Sequence, residues 1–86
     1  MASTAEIKAQ IQSAIEQANE AIGQINAAQQ QIETAVGAGA AATQDTSSSL
    51  PGEALGQWQQ AKERLEETVN LVLAANTAFE QYSNSI

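Results

Sequence analysis

Large apolar residues recur at every seventh position from Trp58 onward: Trp58, Leu65, Val72, Phe79 and Ile86. Three places after the first four of them stand Ala61, Thr68, Ala75 and Tyr82. Spacings of three and four place both sets on one stripe of an α-helix, in the heptad pattern by which helices pack together. The pattern predicts a helix over about 53–83, with Leu55, Trp58, Leu65, Val69, Val72 and Phe79 on its buried face. Lys62, Glu63, Arg64, Glu66 and Glu67 then form its solvated side. Lys62 and Glu66 are an attractive pair one turn apart, and Glu63 and Glu67 a repulsive one.

A second stripe runs from Ile7 to Val36. Ile11, Ala18, Ile25 and Ile32 make one row, and Ile7, Ala14, Ala21, Ala28 and Ala35 the next. Ile15, Ile22 and Val36 widen it on one side. The predicted helix covers about 3–36, opened by the capping box Ser3 and Glu6. Its apolar arc is wider than one partner helix covers, which suits a bundle. The opposite face is built from amides, among them Gln10, Gln17, Asn19, Asn26 and Gln31. Gly23 falls within the helix, either as a tolerated surface glycine or as a point of close helix contact.

Between the stripes, GAGAAATQDTSSSLPG has no period. Gly37 or Gly39 can end the first helix in the left-handed conformation, or the alanines can carry it another turn. The expected connection is about 37–52. Ser47 to Ser49 can cap the second helix, with Pro51 in its opening turn. The fold class that follows is all-α: an antiparallel two-helix hairpin, coiled-coil-like, one domain over 1–86. It is completed by oligomerisation into a four-helix bundle or a larger helical assembly.

Composition sharpens this in two ways. A chain of 86 residues buries little of its surface alone, and without Cys it has no disulfide to compensate. A formal charge of −7 argues against nucleic acid and anionic membrane surfaces as ligands. Acidic residues supply that charge, yet the polar faces are mostly Gln and Asn, which cost less to desolvate than charges. No apolar run approaches the roughly 20 residues of a membrane span. The start MASTAEIKAQ lacks the pattern of a cleavable signal. The expected location is the cytoplasm, or outside it after export without such a signal.

Catalytic and metal chemistry find little to work with. There is no His and no Cys. Glu16 and Glu20, and Glu63 and Glu67, each lie one turn apart but off the apolar stripes, whereas a bundle metal site aims its carboxylates inward. GAGAA lacks the Lys-Ser/Thr of a phosphate loop, and Asp45 has no companions at calcium spacing. No enzyme, cofactor or small-molecule substrate is expected. The candidate site is an interface: Ile11, Ile15, Ile22, Ile25, Ile32, Leu55, Trp58, Leu65, Val72, Phe79 and Tyr82. Trp58 is either a core anchor near the turn or an exposed hot spot for a partner. Phe79 and Tyr82 admit the same two readings at the other end.

An acidic, Cys-free hairpin of this length with Trp58 near its turn resembles the Trp-x-Gly family of small type VII secretion substrates. In that family Gly follows the Trp by two places; here the order is Gly56-Gln57-Trp58-Gln59-Gln60. The family's export signal is Tyr followed four places later by an acid; here Tyr82 is followed by Ile86. The resemblance implies a secretion- or effector-associated hairpin that pairs with itself or a related helical protein. Leu50-Pro51-Gly52 and Ile86 also look like the turn and terminus of type III secretion needle subunits, which implies a filament or tube built from stacked hairpins.

Overall fold

The computed structural model describes residues 2–86. Among these the chain forms two α-helices and no strand: α1, Thr4–Ala42, and α2, Leu50–Ser85. At 1.5 Å per residue, 39 and 36 residues make rods of about 58 and 54 Å. They lie antiparallel, giving a hairpin of 65 × 17 × 15 Å.

Ser3 starts α1, its Oγ accepting from the Glu6 N–H at 3.1 Å. The helix runs six residues past its predicted end, and no described glycine takes a positive φ. Alanine is the best helix former, and Ala38 to Ala42 carry the helix through both glycines. Thr43 ends it. Its N–H donates to the carbonyls of Gly39 and Ala40, and its hydroxyl donates to Gly39 O at 2.7 Å. A side chain thus does the work expected of a left-handed glycine.

The connection is therefore residues 43–49, much shorter than 37–52 and within the usual range for neighbouring helices. Ser48 Oγ accepts from the Leu50 N–H at 3.2 Å, and Pro51 occupies the first turn of α2. Ser49 holds the cap position but makes no side-chain cap hydrogen bond, its backbone already being helical. Gly39 matters by its missing side chain. A Cβ there would come within 3.2 Å of both Leu55 Cδ2 and Trp58 Cζ3. The Trp58 ring rests against the backbone of α1. Gly23, by contrast, has open space around it.

Candidate interaction surface

Two rows of each helix meet in the seam. On α1 they are Ile11, Ala18, Ile25, Ile32 and Gly39, and then Ile15, Ile22, Gln29, Val36 and Thr43; all are buried or half-buried. On α2 one seam row is the expected one, Trp58, Leu65, Val72 and Phe79. The other is Leu55, Lys62, Val69, Asn76 and Ser83, again buried or half-buried. The row Ala61, Thr68, Ala75 and Tyr82, expected in the seam, stands exposed. So do Ala14 and Ala21 on α1, while Ala28 and Ala35 are half-buried.

The correction has a simple origin. A heptad row has neighbours three and four residues on, and both are adjacent on the helix surface. The apolar pattern favoured the row at three. Packing selected the row at four, which carries Leu55 and Val69 but also Lys62 and Asn76. Lys62 accordingly leaves the solvated side. It is half-buried and reaches across to Glu33 at 3.4 Å rather than along its own helix to Glu66.

These polar members make the interhelix hydrogen bonds. Asn76, 8% exposed, donates from Nδ2 to Asn19 Oδ1 at 3.0 Å. Gln29 Nε2 donates to the Lys62 carbonyl at 3.1 Å. No buried side-chain N or O lacks a partner among the described residues. Asn19, Glu33, Lys62 and Asn76 share one edge of the seam, so these contacts define a polar side of the hairpin. A shallow groove of ≈ 560 Å³ runs along it, lined by Asn26, Gln29, Glu33, Lys62, Glu66 and Asn70 among others.

The other side is apolar. It carries the alanine rows of both helices, exposed along α2 and at Ala14 and Ala21 of α1, and the outward edges of the tryptophan row. Of the expected interface residues, Ile11 and Ile15 are buried and Ile22, Ile25, Ile32, Leu55, Leu65 and Val72 half-buried, all within the hairpin. Trp58 (43% exposed), Phe79 (51%) and Tyr82 (51%) open onto solvent. Trp58 packs its ring against Gly39, and 43% of the residue stays exposed. Beside it, Gly39, Leu50, Pro51, Ala54 and Leu55 help line an apolar hollow of ≈ 300 Å³.

Sequence reasoning missed the Asn19–Asn76 pair. The signal available was that Asn76 stands four residues after Val72, on a flank of a seam row. Among the described residues, no three His, Cys, Asp or Glu side chains gather as a metal site. No helix is long and apolar enough to cross a membrane. In comparisons with known proteins, no family, no curated protein and no solved structure matches the chain.

Proposed function

We propose that this protein is a non-enzymatic interaction module, a helical hairpin that pairs with itself or with a related helical partner. One observation carries the reading: in the hairpin alone, the only buried apolar side chains among the described residues are Ile11 and Ile15, and none is fully buried. A folded chain normally gains its stability from burial, at about 25 cal/mol per Å². Here Leu50, Trp58, Leu71, Leu73, Phe79, Tyr82 and Ile86 remain exposed. So many large apolar residues left exposed over so small a core support a reading in which a partner covers part of them. The secretion- or effector-associated role is part of the proposal and draws on the resemblance in size, charge and turn alone.

The second reading is a filament or tube subunit. It is favoured by apolar residues at both ends of the rod, Leu50 and the hollow at the turn, Phe79 and Ile86 at the opposite end. Contacts of unlike ends do not close.

Light scattering after size exclusion, combined with thermal unfolding over a hundredfold concentration range, tests the proposal. A melting temperature that rises with concentration, with mass settling at a fixed multiple, is the expected result. Mass that grows without limit selects the filament. A monomer that melts cooperatively at one temperature throughout, unaffected by concentration, overturns the self-pairing arm and leaves only a different partner.

A further inference from the structure

The apolar stripe of each helix extends past the hairpin seam on one side. On α2 it is centred between the row of Trp58, Leu65, Val72 and Phe79 and the exposed row of Ala54, Ala61, Thr68, Ala75 and Tyr82. The seam lies between the first of these rows and the row of Leu55 and Asn76. In a heptad that offset is one row, about 50° around the helix. On α1 the large residues Ile11, Ile15, Ile22, Ile25, Ile32 and Val36 fill the seam, and the alanine row beside them, exposed at Ala14 and Ala21 and half-buried at Ala28 and Ala35, extends the stripe past the seam in the same sense. Since Asn19–Asn76 and Lys62–Glu33 hold the polar edges of both helices on one side, the alanine rows of both helices fall together on the other. Two helices that needed only each other would aim their stripes straight across. Stripes rotated to the same side aim at the axis of a four-helix bundle.

We infer that the occupant of this apolar side is a second copy of the same hairpin, docked face to face about a two-fold axis. The inference rests on the self-pairing reading above and adds which face is used and how the assembly closes. Area supports it. A compact folded chain of this mass, 9.0 kDa, exposes about 4,850 Å² by the usual scaling. This hairpin exposes 6325 Å², an excess of about 1,500 Å² per chain. Removing it from both copies would bury about 3,000 Å² in total, the range of obligate homodimers.

Charge supports it as well. A chain of net charge −7 pairs with itself only if its acids stay out of the contact. None of the ten Asp and Glu lies on the tryptophan row, the alanine rows or the rows just outside them. Those outermost rows hold Gln10, Gln17, Gln24 and Gln31 on α1, and Leu71 (71% exposed) and Ala78 on α2. Arg64 is the only charge there, at the rim. A basic partner would instead find its acids on the polar side. Alanine along the middle lets two hairpins approach closely, and Leu71, Phe79 and Tyr82 supply the larger contacts.

The test compares two double variants by light scattering and sedimentation, with circular dichroism as the control for folding. Ala21→Glu with Ala75→Glu puts carboxylates at exposed positions on the apolar side. Asn26→Glu with Gln59→Glu puts the same number on the polar side. The expected result is a wild-type dimer, a first variant that keeps its helicity while its dissociation constant rises on the order of 100-fold or more, and a second that still pairs. A wild type that pairs, with a first variant that pairs as tightly, overturns the assignment of the face and leaves self-pairing standing. A wild type that stays monomeric overturns both. A wild type that polymerises without limit overturns the closed dimer.

Discussion

The two long sides of this hairpin are built from the same helices and differ in almost everything else. One side holds Asn19, Gln29, Glu33, Lys62 and Asn76, which bond across the seam. The other holds alanines, Thr68, whose hydroxyl donates only to the Arg64 carbonyl of its own helix, and the free edges of Trp58, Phe79 and Tyr82; none of these bonds across the seam. The polar side contributes little net stability, since a neutral hydrogen bond is worth about 1 kcal/mol and an exposed ion pair less. Its contribution is register: Asn19 meets Asn76 at one alignment of the helices only. The apolar side contributes little within the hairpin because it is not buried. The comparison teaches that the edge that aligns a pair of helices need not be the one with the most apolar surface.

The largest expected effect breaks both sides together. Val72→Asp puts a charge in the seam row that they share. It should cost more than about 3 kcal/mol and abolish assembly and most helicity. Full helicity and unchanged mass, by circular dichroism and sizing, would refute the seam. Trp58→Ala acts on the apolar side. Core Trp→Ala changes cost about 3–5 kcal/mol; with 43% of Trp58 exposed, roughly half that is expected in the hairpin. The loss should grow with protein concentration if assembly covers the rest of the ring, which melting curves at several concentrations will show.

Asn76→Leu acts on the polar side. Asn19 is exposed, so with an apolar residue at position 76 its side-chain carbonyl can turn to water and no buried group is left without a partner. The melting temperature should hold or rise, while cysteines introduced on α1 and α2 should cross-link in more than one register. A drop of more than about 2 kcal/mol would mean that the amide pair itself holds the fold. The smallest effect lies on neither side. Gly23 has open space around it, so Gly23→Ala should gain up to about 1 kcal/mol from helix propensity with no change in mass. Destabilisation at Gly23 would reveal a close contact there in the assembly.

Much of the architecture could be read from residue order, because helix periodicity is local. Stripes at spacings of three and four, the Ser3 cap and Pro51 all act within a turn or two of the chain. The helix ends were harder. Gly37 and Gly39 could each have stopped α1, but the alanines around them carried it on to the Thr43 cap. Burial was partly visible as well: Ile11 and Ile15 stand on the expected apolar stripe and are buried in the seam, whereas Lys62 was expected in solvent and lies half-buried beside Glu33.

Order along the chain therefore settled that there are two long helices, that each has one apolar stripe, and that the acids stand away from it. Local sterics and solvation decide these for each helix separately. The folded hairpin decided which flank of the Trp58–Phe79 row meets α1. That choice turns on Trp58 seating against Gly39 and on Asn76 finding Asn19, contacts between residues far apart in sequence. No period within one helix contains them, so the exposed alanine side emerged only when the two helices were placed together.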